Sequence, residues 1–67
     1  MIALSINGQP RRLSAPIKVS GLIDALGLSG KRIAIECNGE IVPRSQFDAI
    51  ELHDGDALEI VVAVGGG

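Results

Sequence analysis

Apolar and polar residues alternate at the start of the chain: Ile2, Leu4 and Ile6 against Ala3, Ser5 and Asn7. A period of two is that of a strand with one face buried. Asn7-Gly8 comes next, a two-residue hairpin signal because both turn positions take positive φ. The returning strand is weaker, Arg11 to Ala15, and Pro10 and Pro16 at its margins suit a sheet edge. The period then changes. Val19, Leu22, Ile23 and Leu26 recur at the spacing of one helical face, with Ser20 as N-cap and Gly27 as C-cap. Gly21 weakens the first turn, and so short a helix must pack on something to persist.

Alternation resumes over residues 31–37, with Ile33, Ile35 and Cys37 on one side and Arg32, Ala34 and Glu36 on the other. Asn38-Gly39 is a second hairpin turn, leading into Glu40-Ile41-Val42-Pro43-Arg44, which Pro43 ends. Ser45 to Phe47 reads as a helical turn with Phe47 as its anchor. Ile50 and Leu52 follow, then a tight turn at His53-Asp54-Gly55-Asp56. In the last run Leu58, Ile60, Val62 and Val64 share one face, and Glu59, Val61 and Ala63 the other.

This order predicts an α+β fold, a β-grasp of four to five mixed strands with one main helix packed across them. The strands joined through the helix should run parallel by a right-handed crossover. The last strand is apolar on both faces, so it belongs at the centre beside the first. A single helix covers one face only. Val61 and Ala63, on the other, are therefore the expected partner face. The domain is expected over residues 1–64, with 65–67 a flexible glycine tail.

Composition narrows the function. A chain of 67 residues has room for one domain and buries roughly 60% of its unfolded surface. Its apolar content is almost all aliphatic, with Phe47 the one aromatic residue, enough for a small core and not for a large pocket as well. The lone Cys37 excludes an internal disulfide or a cysteine-ligated metal site and fits a reducing, cytoplasmic setting. No apolar run approaches the roughly 20 residues that span a bilayer, so no membrane partner is expected. Residues 1–6 lack the basic start of a secretory signal. A net charge of −2 with scattered basic residues gives nucleic-acid binding no support.

Chemistry is equally sparse. Cys37 could be a nucleophile or persulfide carrier, but its alternation puts it on the core side as a small hydrophobe. His53 could be a general base and reads better as a surface turn residue. Asp54 and Asp56 lack the twelve-residue calcium pattern and fit the turn around Gly55. No phosphate-binding glycine spacing occurs, so no catalytic or metal-ligating set is expected and no cofactor should be bound.

What remains is the end of the chain. Gly65 and Gly66 are spacers that put the carboxylate of Gly67 on a thin leash, and the absence of a Cβ lets the backbone thread a narrow channel. Joining that carboxylate to AMP would activate it, and a protein persulfide could displace the AMP to leave a thiocarboxylate. Ordering three glycines costs on the order of 3–6 kcal/mol, which docking of the folded body must offset.

With the β-grasp pattern, residues 38–46 (Asn-Gly-Glu-Ile-Val-Pro-Arg-Ser-Gln), Asp54-Gly55-Asp56 and the terminal Gly66-Gly67 together, the chain resembles the thiamine-biosynthesis sulfur carrier family, ThiS. The resemblance spans essentially the whole chain, and its order and spacing are more specific than any one part. It implies a ubiquitin-like carrier rather than an enzyme. Gly67 would be adenylated by a ThiF-type adenylyltransferase using ATP and magnesium. Sulfur would come from a cysteine desulfurase, and the Gly67 thiocarboxylate would give it to thiazole synthase for the thiazole of thiamine. Gly65 extends the usual glycine pair, Lys18 stands where a better helix cap is expected, and Cys37 matches no functional position of the family. The alternatives are a carrier for molybdopterin, cysteine or tRNA thiolation, or a β-grasp binding module whose tail is incidental. The chemistry of an acyl adenylate also leaves an isopeptide-modifier role open.

Overall fold

The computed structural model describes residues 1–63. Five strands, β1 (Ile2–Ile6), β2 (Gln9–Leu13), β3 (Ile33–Cys37), β4 (Glu40–Val42) and β5 (Ala57–Val62), form one sheet in the order β2-β1-β5-β3-β4. One helix, α1 (Val19–Ala25), packs on it, and a 3-10 turn spans Arg44–Gln46. β1 runs parallel to β5, and every other neighbouring pair is antiparallel. The two strands joined through α1, β2 and β3, therefore point the same way. The last strand is central and next to the first, as its two apolar faces require.

Both Asn-Gly pairs form the expected turns, with positive φ at Asn7, Gly8, Asn38 and Gly39. The first turn corrects the second strand. A two-residue turn pairs Ile6 with Gln9 at once, so β2 begins at Gln9 and ends at Leu13 instead of running from Arg11 to Ala15. Pro10 thus lies inside the strand, opposite Ser5. It is tolerated because Ile6–Gln9 is the hydrogen-bonded pair closing the hairpin. Ser5–Pro10 is then a non-bonded pair, and the ring nitrogen faces away from β1 on an edge strand.

The helix start differs from expectation too. Lys18 is the N-cap, no side chain caps the helix, and Ser20 already lies within it. Backbone carbonyls supply the missing acceptors: Val19 N–H donates to Ile50 O and Ser20 N–H to Phe47 O. The segment around Phe47 thus does what a capping side chain would do. Gly21 lies in this first turn against Ile17, whose Cγ1 would be 3.1 Å from an added Cβ. At the other end, Gly27 takes φ +73° beyond the cap Leu26. Gly27 N–H donates to Asp24 O and Leu28 N–H to Ile23 O, which is a Schellman closure.

The core lies between α1 and one face of the sheet. Val19, Leu22 and Ile23 of the helix meet Leu4, Ile6, Ile35, Val42, Leu58 and Ile60, with Leu52 closing one end. Phe47, Ile50 and Cys37 pack against this cluster while half-buried. Val62 was expected with the inner residues and is 37% exposed. Seven helical residues span only about 10 Å, too short to cover the far end of β5.

Candidate functional site at the root of the tail

β5 is the element that leads to the glycines, and it is held from both sides by side chains of the two turns. The Asn7 amide makes a pair of bonds to one residue of β5. Its Nδ2 donates to Ile60 O at 3.0 Å, and Ile60 N–H donates to its Oδ1 at 2.8 Å. The parallel β1–β5 ladder ends at Ile6–Leu58 because the chain turns away. The amide group of Asn7 then imitates one more peptide and extends it. On the other side, Ala57 N–H donates to Asn38 Oδ1 and Asn38 Nδ2 donates to Asp56 Oδ1. Asparagine fits both turns twice over. It tolerates the left-handed backbone, and it carries a donor and an acceptor on one short side chain.

Beyond β5, Ala63 N–H donates to Arg32 O at 2.8 Å, which fixes the last described residue to the start of β3. Val61 and Ala63 are both exposed, as expected, with Val61 at 63%. They line an open groove of about 430 Å³ together with Arg32, Ile33, Ala34 and Arg44. Arg44 Nη2 reaches Lys31 O at 3.4 Å. Residues 64–67 lie outside the described residues: Val64, the spacers Gly65 and Gly66, and Gly67 itself.

Cys37 and the Asp-Gly-Asp turn take part in the packing and hydrogen bonding of the fold. Cys37 is half-buried, and its thiol pKa is raised, first by burial and then by the charges of Asp56 and Glu40. That environment disfavours the thiolate a nucleophile needs. Asp54 Oδ1 accepts Ala3 N–H at 2.6 Å, and Asp56 Oδ2 accepts His53 N–H at 2.8 Å. The Asp-Gly-Asp turn thus spends its carboxylates on two backbone donors and the Asn38 amide, and ties itself to β1. His53 is exposed beside it. Among the described residues no group of three or more His, Cys, Asp or Glu could hold a metal ion. No helix among them is long and apolar enough to cross a membrane.

Sequence reasoning missed three features. The asparagine clamps were read as turn residues only, and nothing in a sequence says that their side chains reach β5. Arg32 and Arg44 converge on the root of the tail, which needs the β3–β5 register. Glu36 and Glu59 lie directly opposite each other on the outer face. Alternation had assigned each an outward position, so only their pairing was unknown.

A five-stranded mixed sheet gripping one helix, with its central strand leading into the last residues, defines a ubiquitin-like β-grasp protein. A crystal structure of the thiamine biosynthesis protein ThiS from Geobacter metallireducens superposes on the chain with a TM-score of 0.82. It is 35% identical, and the match covers 98% of this chain and all of that one. The sequence profile of the ThiS family matches residues 4–67. The chain belongs to the ThiS family. The sulfur carrier protein ThiS of Bacillus subtilis is 37% identical over 49 residues, 73% of this chain and 74% of that protein. A thiazole synthase of Paramagnetospirillum magneticum is 45% identical over 64 residues, 96% of this chain. The chain spans only 20% of that synthase's length.

Proposed function

We propose that this protein is a sulfur carrier of thiamine biosynthesis whose working group is the carboxylate of Gly67. The observation that carries the reading is the family match, which runs through Gly67 itself. A carboxylate resists attack by sulfur because its leaving group is oxide. Attack of a carboxylate oxygen on the α-phosphorus of ATP gives an acyl adenylate and releases pyrophosphate, and AMP is then a good leaving group. The terminal sulfur of a protein persulfide, charged by a cysteine desulfurase, attacks the acyl carbon and expels AMP. A thiol then cleaves the resulting acyl disulfide and is itself oxidised to a disulfide, leaving the thiocarboxylate on Gly67. The chain's own part is binding and presentation. A ThiF-type adenylyltransferase supplies ATP and magnesium, and β5 with its two asparagine clamps gives the tail a rigid origin.

The thiazole synthase relative supports the choice of acceptor. A segment 45% identical to nearly this whole chain lies within that much longer protein. Joining a carrier to the enzyme that consumes its sulfur raises their effective concentration by orders of magnitude, which is a reason for such a fusion. We take thiazole synthase as the acceptor for this chain on that ground. The test is reconstitution with adenylyltransferase, desulfurase, cysteine, ATP, magnesium, a thiol, and thiazole synthase with its carbon and nitrogen substrates. Thiazole phosphate should form with the intact chain and not with one lacking Gly66 and Gly67. Equal product from the shortened chain contradicts the reading. Thiolation of molybdopterin precursor with no thiazole formed would move the same chemistry to another pathway.

A further inference from the structure

The outer face of the sheet is ordered by charge along β5, and the order begins where the tail begins. Arg32 and Arg44 border the groove beside Ala63. Next along the strand is the apolar pair Ala34–Val61. One strand period farther from the tail, about 7 Å on, stands the pair Glu36–Glu59. Both glutamates are exposed. Like charges directly opposite on neighbouring strands repel and destabilise the sheet, so this pair is not there for the fold.

The length of the tail decides what can cover the strip. Residues 64–67, fully extended, span at most about 14 Å. An enzyme that takes the Gly67 carbonyl must therefore bring its own surface to within that distance of Ala63. The groove beside Ala63 and the neighbouring face of β5 lie in the way. Arg32 and Arg44 line that groove, so they stand where the enzyme's surface must come.

Building on the carrier reading above, we propose that the adenylating enzyme covers this strip with the opposite order of charge. It offers a carboxylate to Arg32 and Arg44 at the tail root and apolar side chains to Ala34 and Val61. It seats one basic side chain between Glu36 and Glu59. The doubled negative charge then has a use. Its repulsion is relieved only in the complex, and its position fixes which way the carrier lies on the enzyme.

The test is the affinity of the full chain for its adenylyltransferase at low and high salt. The variants are E36K/E59K, R32E/R44E and, as a control on edge strand β2, Arg11→Glu. Both double reversals should weaken binding about tenfold or more at 50 mM salt, and the gap should narrow at 300 mM as screening sets in. The single change Glu59→Lys should raise the melting temperature while still weakening binding, a split that a structural role for Glu59 would not give. Wild-type binding that both reversals leave within about twofold overturns the charged strip and leaves the carrier reading standing. Absence of both binding and ATP–pyrophosphate exchange with the wild-type chain overturns both. Self-association abolished by the reversals, with enzyme binding untouched, would assign the strip to a second copy of the chain and overturn the proposal.

Discussion

The two faces of this sheet come from the same strands, residue by residue in alternation, yet they answer to different demands. On the inner face Leu4, Ile35, Leu58 and Ile60 lie under α1 and are nearly inaccessible. On the outer face Ile41 and Val61 are 76% and 63% exposed, and Glu36 faces Glu59. The described residues hold one α-helix, so one face of the sheet is packed and the other is open. Apolar residues on the packed face stabilise the fold. The same residue types on the open face contribute little to it, and the facing glutamates work against it. The contrast separates residues that make the protein from residues that it presents.

The largest expected effect breaks the packed face. Leu22 is fully buried, and Leu22→Ala should cost about 2–5 kcal/mol by urea denaturation. A domain of this size has roughly 3–10 kcal/mol in total, so the variant should be partly unfolded at 37 °C. Val61→Ala, one strand face away, should stay within about 1 kcal/mol of wild type. Equal losses at the two sites would erase the distinction between the faces.

Asn7 sits between the two demands, since it holds the strand that both faces share. Asn7→Ala removes both bonds to Ile60 and forces alanine to φ +52°, and should cost about 2–4 kcal/mol. Asn7→Gly relieves the backbone and keeps only the loss of the amide, so it should recover about 1–2 kcal/mol. Hydrogen exchange at Ile60 N–H should quicken in both variants.

The outer face should respond with the opposite sign. Glu59→Lys turns a repulsive cross-strand pair into an attractive one, and should gain roughly 0.2–1 kcal/mol in thermal unfolding. A loss of stability there would mean that the pair serves the fold.

The smallest effect concerns Cys37, at the border of the core. Its thiol is raised in the folded state by burial first, then by Asp56 and Glu40. Folding therefore favours the protonated form. This group contributes no pH dependence below the thiol's unfolded value. Stability should fall as pH rises through that value toward the folded one, and Cys37→Ser should remove that alkaline decline. Alkylation of Cys37 at pH 8 should be slower in the folded chain than in urea.

The fold was largely legible because its signals were local. Period two over residues 2–6 and 33–37, two Asn-Gly turns and the apolar spacing of α1 suffice to order the elements, and Gly27 ends the helix where a positive φ is needed. The misreadings arose where a distant segment intervened. Ser20 is a good N-cap by composition, but carbonyls some thirty residues on, Phe47 and Ile50, took over that task. Pro10 reads locally as a strand boundary, whereas edge geometry lets it sit inside β2 opposite Ser5. At the site, alternation correctly exposed Val61 and Ala63. The convergence of Arg32 and Arg44 depended on pairing across the sheet, which no local pattern encodes.

The central claim, that Gly67 carries the sulfur, is tested most directly by intact-mass spectrometry. The protein is treated with adenylyltransferase, ATP, magnesium and a charged desulfurase, and then with a thiol. The account predicts a product about 16 Da heavier, one oxygen exchanged for sulfur, with fragmentation placing the gain on Gly67. The same gain on a chain lacking Gly67, or its location at Cys37, would contradict it.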